Sequence, residues 1–285
     1  MANPKLKWSL FQHQNDIDIY RSGTNLKILL RRPRNGNALT TDMVTQITDC
    51  FRSVAQDHTI TRIVIAAEGR FFCTGMDLSK SSTAVSKGGD AASNEYEKFV
   101  NLFQAIQDAP QVTIACINGP CYAGGVGLAF SCDVRLAIAS ATASLSEVKL
   151  GLCPAIISKY LAREWGLAFT REAILSGRVI SVAELRNIGA VHGLAADMAG
   201  LDELLESYLI NLRSCAPRAS AMCKDVMRAA AGVRGHEEQD KVIRQVFETM
   251  MAPDSESVIG VRNFQSGKKR TDWDALAHLQ GAAKL

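Results

Sequence analysis

The sequence has no uninterrupted apolar run long enough to cross a membrane, although 47% of its 285 residues are hydrophobic. A spanning helix needs about 20 consecutive apolar residues. The N-terminal stretch MANPKLKWSL also has no apolar segment of the kind found in secretory signals. We therefore expect neither membrane insertion nor secretion, and a protein that stays inside the cell.

An excess of charge of either sign is missing as well. The chain carries 32 Lys and Arg residues against 29 Asp and Glu residues, which gives a net charge of +3. Nucleic-acid-binding surfaces need a larger basic excess, so we expect no nucleic-acid partner. One basic cluster, GKKR at residues 267–270, is typical of a solvated helix end but can also serve an anionic group.

The eight cysteines show no paired spacing of the kind that metal ligands have, and no cluster of Cys, His and Asp accompanies them. We therefore predict no metal ion. The Gly-rich stretches also lack the G-x-G-x-x-G spacing of dinucleotide sites. Because several cysteines lie in apolar runs, we predict that all are reduced, buried thiols: Cys50, Cys73, Cys116, Cys121, Cys132, Cys153, Cys215 and Cys223.

Short β-rich runs alternate with other structure over the first part of the chain. Residues 16–20 and 26–31 predict a hairpin. Thr40 or Thr41 can then cap a helix that runs to about Gln56. Further β-rich runs at residues 62–67, 112–118 and 134–139 are separated by helical or loop sequence. Such alternation favours crossover connections, so we predict an α/β fold with a parallel sheet.

The other segments of the chain have different patterns. Residues 81–94 are small, polar and Gly-containing, which predicts a loop followed by a helix from about Glu95 to Gln107. From residue 157 onward the pattern is almost entirely helical. We therefore divide the chain into a β/α core, residues 1–195, and a helical region, residues 196–285.

Two Gly-rich turns follow apolar, strand-like runs. GPCYAGGVGLA, residues 119–129, follows VTIACIN, and GRFFCTGMDLSK, residues 69–80, follows RIVIAAE. A turn at a helix start exposes backbone N–H groups, and Gly124 and Gly125 let a ligand approach the main chain closely. One such turn alone is typical of an ordinary strand-to-helix connection. Two such loops can offer one N–H each to a single carbonyl oxygen.

Six ordered segments together resemble the enoyl-CoA hydratase/isomerase, or crotonase, superfamily: RRPRNGNALT, GRFFCTGMDLS, INGPCYAGGVGLAFSCDVRLA, SEVKLGLCPA, LSGRVISVAELRNIGAV and NFQSGKKRTDW. The resemblance covers nearly the whole chain after the first dozen residues. It implies a crotonase fold with a core of repeated ββα turns, a helical C-terminal trimerisation region, and a homotrimer or hexamer. It also implies an acyl-CoA thioester substrate and no separate cofactor, since coenzyme A is part of the substrate.

Members of this superfamily stabilise an enolate at the thioester oxygen with two backbone N–H groups. The resemblance assigns these donors to Met76, in TGMD, and to Gly124, in YAGG. Asp77 is expected to hold its turn rather than to act as an acid. The implied substrate-binding positions lie around the two loops and in the late basic segment: Ala38, Gly75, Asp77, Leu78, Gly125, Lys268 and Lys269.

The acid/base positions depart from the pattern of the two-carboxylate hydratases. Those enzymes place one Glu at the position of Gly127, which cannot transfer a proton. The second family Glu matches Glu147, in SEVKLGLCPA. Without the resemblance, a lone Glu beside Lys149 is typical of a solvated surface. We expect Glu147 to be the single catalytic acid/base residue.

A single carboxylate leaves the reaction open. Hydration of a 2-enoyl-CoA is the first interpretation, because SEVKLGLCPAIISKYL resembles the branched-chain and glutaconyl-type hydratases. The alternative is a Δ3,Δ2-enoyl-CoA isomerase with Glu147 as its sole base, since a 1,3-proton shift needs only one base. An isomerase subgroup with Glu at the position of Ala155 is disfavoured. A non-catalytic crotonase-fold protein is a third interpretation. A ClpP-type protease is disfavoured, because the five histidines lie outside the Gly-rich motifs.

The chain ends in Ala283-Lys284-Leu285, which resembles the Ser-Lys-Leu address of peroxisomal proteins. In a eukaryote we expect the peroxisomal import receptor to bind this tripeptide. The expected location is then the peroxisome, and otherwise the cytoplasm.

Overall fold

The computed structural model describes residues 6–78, 89–231, 236–268 and 270–282. Lys269, the tripeptide 283–285 and residues 81–88 of the predicted loop lie outside these ranges. Within them, no helix combines the length and the apolar character that crossing a membrane would require.

Ten strands form one seven-stranded and one three-stranded sheet within the described ranges. Their bounds are β1 Ser9–His13, β2 Ile17–Ser22, β3 Asn25–Leu30, β4 Arg62–Ala67, β5 Val112–Ile117, β6 Cys121–Tyr122, β7 Val134–Ile138, β8 Thr142–Ser144, β9 Val179–Ser181 and β10 Gly193–Ala195. The large sheet has the order β1-β2-β3-β4-β5-β7-β10, and the small sheet β6-β8-β9. From β3 to β10 neighbouring strands of the large sheet are parallel. The predicted α/β class and parallel sheet are confirmed.

Helices connect the strands and make up the described chain after Ala195. Their bounds are α1 Thr41–Val54, α2 Gly89–Asp108, α3 Gly124–Phe130, α4 Ser158–Trp165, α5 Leu167–Ser176, α6 Val182–Asn187, α7 Met198–Leu212, α8 Pro217–Ala231, α9 His236–Met250, α10 Glu256–Gln265 and α11 Trp273–Ala282. Thr40 caps α1, because its hydroxyl accepts a hydrogen bond from the Met43 N–H at 3.2 Å.

The central parallel strands β4 and β5 are buried on both faces, which explains their nearly continuous apolar sequences. The larger core lies on one face, where α1, α2 and α3 pack. On the other face α7 covers the sheet through three leucines that contact a second apolar cluster: Leu201, Leu205 and Leu209 against Val64, Ile114, Cys116, Val134 and Leu136. The site described below lies on the α1–α3 side.

Four local predictions differ from the structure. Strand β1 and the small sheet were not predicted. Their strands have only two to five residues, which is too short for an alternating sequence pattern to be recognised. Helix α2 begins at Gly89, six residues before the predicted start. Three cysteines are exposed rather than buried: Cys153, Cys215 and Cys223.

A buried ion pair fastens the last helix to the sheet. Arg62, on β4, donates to both carboxylate oxygens of Asp274, on α11, at 2.9 and 3.0 Å. The same guanidinium donates to the Leu212 carbonyl oxygen at 2.7 Å. Arg62 is 2% exposed and Asp274 is 8% exposed. Strand β4, helix α11 and the end of α7 therefore meet at one guanidinium, and the hydrogen bonds that it donates are charge-assisted.

Candidate active site

The first Gly-rich loop runs alongside residues 36–39. The Leu39 N–H donates to the Gly75 carbonyl oxygen at 2.7 Å, and the Asp77 N–H donates to the Leu39 carbonyl oxygen at 3.0 Å. These bonds form a parallel bridge between Leu39 and Met76, in which the main-chain groups of Met76 face away from Leu39. Among the described residues, the Met76 N–H has no hydrogen-bond acceptor.

An ion pair holds this loop against the preceding segment. Arg32 Nη1 donates to the Ala38 carbonyl oxygen at 2.6 Å and to Asp77 Oδ2 at 3.0 Å. The Arg32 and Asp77 side chains are only 16% and 15% exposed, so solvent ions screen the pair weakly. Asp77 fastens the turn, while the neighbouring Leu78 side chain is exposed and faces the cavity described below.

The second Gly-rich loop connects β6 to α3. Ala123 has φ +50° and ψ −123°, and its N–H donates to the Ser144 carbonyl oxygen at 3.0 Å. Gly124 is the first residue of α3, and its N–H finds no acceptor in the part of the chain that the structure describes. At Gly125 a Cβ would lie 2.1 Å from the Cys73 carbonyl oxygen, so only glycine allows this close approach.

The two loops are in direct contact. A Cβ on Gly124 would lie 3.6 Å from the Met76 nitrogen, and a Cβ on Gly75 would lie 2.9 Å from the Gly124 nitrogen. Gly75 also has a φ of +91°, which disfavours any other residue. The two N–H groups therefore border the same space, and fixed backbone donors of this kind can stabilise one negatively charged oxygen.

Met76, Leu78, Gly124 and Glu147 line a common cavity of about 380 Å³. Its walls are mainly apolar, and they come from the two loops, from α2 and from the segment that follows β8. The other described residues of the lining are Thr74, Tyr96, Phe99, Ala123, Ser146, Leu150, Leu152, Cys153, Pro154, Ala155, Ile156 and Ile157. An apolar wall with few polar groups is typical of a small-molecule site.

Glu147 lies on a short 3-10 helix, Ser146–Leu150, which Gly151 ends with a left-handed φ of +72°. The Oε2 atom of Glu147 is buried and has no hydrogen-bond partner among the described residues. Burial raises the pKa of this carboxyl above its ordinary value, because loss of water disfavours the charged form. A buried carboxylate oxygen without a partner is suited to hold a water molecule or to exchange a proton.

Position 127 contributes no polar group to the cavity. A Cβ on Gly127 would lie 2.2 Å from Ile157 Cγ2 and 3.0 Å from Phe103 Cζ. The place of a second carboxylate is therefore filled by apolar side chains. Glu147 is the one carboxylate among the described residues that line the cavity.

The remaining predicted residues do not line this cavity in the described chain. Gly75, Gly125, Asp77 and Ala38 shape or fasten the loops. Lys268 is exposed beyond α10, where its N–H donates to the Asn263 carbonyl oxygen at 3.0 Å, and Lys269 is not described.

Sequence reasoning named neither the lining residues of α2 nor Arg32. Tyr96 and Phe99 belong to α2, and their three-residue spacing on a helix was the available signal. Arg32 lies within the segment RRPRNGNALT, but its pairing with Asp77 is a contact over 45 residues that no local pattern reveals.

A mixed α/β fold with two facing Gly-rich loops and a carboxylate in one cavity is typical of enzymes that stabilise an oxyanion while a proton moves. The family profile described as "Enoyl-CoA hydratase/isomerase" matches residues 21–275 of the chain. The chain belongs to this family, and the resemblance inferred from its motifs is confirmed.

Individual relatives agree with this assignment. Enoyl-CoA hydratase AFT6-1 of Alternaria alternata is 40% identical over 260 residues, which cover 91% of this chain and 85% of that protein. The peroxisomal Delta(3,5)-Delta(2,4)-dienoyl-CoA isomerase of Arabidopsis thaliana is 27% identical over 74% of this chain and 81% of its own. Among solved structures, Pseudomonas aeruginosa AtuE superposes with a TM-score of 0.84 and 29% identity, covering 91% of this chain and 100% of that one. The crotonase fold is therefore confirmed.

Proposed function

We propose that the protein is an enoyl-CoA hydratase that adds water across the C2=C3 bond of a 2-enoyl-CoA thioester. The observation that carries the proposal is that Glu147 shares one cavity with the N–H groups of Met76 and Gly124, which have no acceptor among the described residues. Family membership and the hydratase name of AFT6-1 support the same reaction.

In the proposed mechanism the two N–H groups bind the thioester oxygen, and Glu147 first accepts a proton and then returns it. The thioester oxygen accepts hydrogen bonds from the Met76 and Gly124 N–H groups. Glu147 removes a proton from water as the water oxygen bonds to C3, and the C2=C3 π electrons move to the thioester oxygen as an enolate. The enolate then collapses, and Glu147 delivers the proton to C2. One oxyanion donor typically contributes about 10²–10³ in rate, and one acid/base group about 10²–10⁴.

Burial suits Glu147 to this double task. Its raised pKa brings the carboxyl closer to neutral pH than an ordinary Glu. A group with a pKa nearer to the working pH both accepts and returns a proton effectively. The apolar walls around it also lower the local dielectric constant, which strengthens the hydrogen bonds to the developing oxyanion.

The packing at Gly127 is also compatible with a second candidate reaction, isomerisation. Because Ile157 and Phe103 fill this place, the proton chemistry has one carboxylate to use. A Δ3,Δ2-enoyl-CoA isomerase needs only one base, which takes a proton from C2 and returns it at C4, or the reverse. The isomerase among the relatives is compatible with this alternative.

Product analysis separates the two reactions. The protein is incubated with 2-enoyl-, 3-enoyl- and 3-methylglutaconyl-type CoA esters, and the products are identified by mass and NMR. A product heavier by one water supports the hydratase, and conversion of a 3-enoyl to a 2-enoyl ester at unchanged mass supports the isomerase. Turnover should fall by about 10²–10⁴ in Glu147→Gln and persist in Glu203→Gln, which alters an exposed residue of α7. Binding without turnover of any ester would indicate a non-catalytic protein.

We also propose a homotrimer or hexamer as the working form. The late helices and the turn after α9 expose large apolar side chains that a single copy leaves in water: Met227, Ile243, Phe247, Met251, Val261 and Phe264. Apolar area of this kind is typical of a surface that another chain covers. Light scattering coupled to size-exclusion chromatography measures the state directly, and a monomer at micromolar concentration would contradict the proposal.

Peroxisomal import remains a proposal that depends on the tripeptide Ala283-Lys284-Leu285. An N-terminally tagged protein should enter peroxisomes of a eukaryotic cell, and the same protein without Leu285 should not. A diffuse signal from the intact chain would overturn the proposal.

A further inference from the structure

The cavity that Glu147 shares with the two N–H donors changes from open to closed along helix α2. Tyr96 is 57% exposed and lies at the mouth of the cavity, whereas Phe99, one turn further along the same helix face, is 5% exposed. The segment after β8 shows the same change, because Leu150 is exposed and Ile157 is buried. The cavity therefore has an open mouth and a buried inner end.

The inner end is formed by hydrocarbon side chains. Phe99 packs against Phe103 with ring centroids 6.0 Å apart, and Phe103 and Ile157 together fill the space beside Gly127. These side chains have no polar atoms, so they offer a bound group only dispersion contacts and removal from water. A hydrocarbon group gains free energy on such a surface, whereas a carboxylate loses its hydration there.

Positively charged groups close to the cavity are directed elsewhere. None of the described residues that line the cavity is Lys, Arg or His. Lys149, two residues after Glu147, packs against the end of α5, where its Cε lies 3.2 Å from the Cβ position at Gly177. The guanidinium of Arg32 is paired with Asp77. Glu147 is therefore the one charged side chain in the described lining, and its sign repels a second carboxylate.

We propose that the acyl group of the substrate is an uncharged hydrocarbon chain that lies against α2, and that an acyl group with a second carboxylate is rejected. The inference rests on the proposed function, which places the thioester oxygen at the N–H groups of Met76 and Gly124. Each methylene that the apolar wall buries contributes up to about fourfold in affinity. A carboxylate in the same place meets Glu147 without a cation, and such a juxtaposition of like charges lowers affinity by about 10²-fold or more.

The test compares three esters with the full chain: 2-hexenoyl-CoA, glutaconyl-CoA, and glutaconyl-CoA methylated on its free carboxylate. Methylation removes the charge and keeps the length of the chain. The readouts are kcat/KM for hydration and the dissociation constant of each ester. The wild-type protein should hydrate both neutral esters, and it should use the methyl ester at least about 10²-fold better than glutaconyl-CoA.

Two variants add the same positive charge to α2. Tyr96→Arg places the charge at the mouth of the cavity, and Asn101→Arg places it at an exposed position outside the lining. Tyr96→Arg should raise the kcat/KM of glutaconyl-CoA relative to its methyl ester by about threefold or more, and added salt should weaken this gain. Asn101→Arg should leave the ratio unchanged. The Tm of each variant verifies that the fold is retained.

The possible outcomes separate the inference from the proposed function. Equal use of glutaconyl-CoA and its methyl ester by the wild type would overturn the inference and leave the hydratase in place. A wild-type ratio in Tyr96→Arg would overturn the position of the acyl chain against α2. Hydration of none of the esters would contradict the proposed function instead, and the three dissociation constants would then decide the inference.

Discussion

The side chain of Ile157 occupies the space into which a side chain at residue 127 would point. Ile157 Cγ2 lies 2.2 Å from the Cβ position at Gly127, and Ile157 is only 3% exposed. Phe103 closes the same space from α2, with Cζ at 3.0 Å. Packing therefore excludes a carboxylate side chain at residue 127. The site has a single carboxylate because of the surrounding core as well as because residue 127 is glycine.

The first prediction concerns this packing. Gly127→Ala should lower the free energy of unfolding by about 1–3 kcal/mol, because an extra methyl group overpacks a tight core. Combined with Ile157→Ala it should cost less than the sum of the two single changes, since the second change makes room for the first. Urea unfolding of the three variants measures the coupling.

Gly200→Ala is the matched control for this measurement. A Cβ there meets nothing closer than 3.4 Å and lies within α7, so the change should stabilise the protein by up to about 1 kcal/mol. Strictly additive effects of Gly127→Ala and Ile157→Ala would show that Ile157 does not restrict position 127.

The second prediction separates backbone from side-chain roles in the first loop. Gly75→Ala places a Cβ 2.9 Å from the Gly124 nitrogen at a φ of +91°, so one of the two N–H donors must move. The value of kcat should fall by about 10²–10³. Met76→Leu keeps the donor and should leave kcat close to that of the wild type. Equal rates in both variants would show that this loop supplies no N–H donor to the oxyanion hole.

The third prediction is a pH dependence that originates in Glu147. The base form is lost as the pH falls through the raised pKa of this carboxyl, so kcat/KM should fall on the acid side at a higher pH than an ordinary Glu would give. Glu147→Gln should lower the rate by about 10²–10⁴ while acyl-CoA binding persists. A rate profile that stays flat through this range in the wild type would exclude Glu147 as the base.

The same shift predicts the sign of a stability effect. Folding raises the pKa of Glu147, so the folded state binds its proton more tightly than the unfolded state. The resulting stabilisation is complete below the unfolded-state pKa and disappears as the pH rises through the folded-state pKa. Glu147→Gln should therefore gain stability relative to the wild type on raising the pH across this interval. Urea unfolding at a series of pH values measures the difference, and the opposite trend would contradict it.

The fourth prediction concerns the coenzyme A end of the substrate. Changing Lys268 and Lys269 to Gln should raise KM and weaken its dependence on salt, because lysine contacts phosphate as a point charge that ions screen. Lys241→Gln, at an exposed position of α9, serves as the control. An unchanged KM in the double variant would identify GKKR as a solvated helix end.

The sequence predicted best those parts of the site in which the backbone itself requires a residue type. Gly75 and Gly125 allow close contacts that a Cβ would block, so the glycines of the two turns located both loops. The parallel sheet was also predictable, because β-rich runs separated by helical or loop sequence favour crossover connections.

Features that depend on distant contacts could not be predicted in this way. The filling of position 127 by Ile157 and the strain at Ala123 arise from packing between separate elements. The strands of the small sheet have only two or three residues, and tertiary contacts rather than periodicity create them.

The ion pair between Arg62 and Asp274 joins residues 212 positions apart in the chain. During synthesis, Arg62 leaves the ribosome early, whereas Asp274 follows only when the chain is almost finished. Until then the Arg62 guanidinium lacks its carboxylate, and burying a charge without its partner is strongly unfavourable. A chain that ends before Asp274 therefore leaves Arg62 on β4 without the ion pair that joins the sheet to α11.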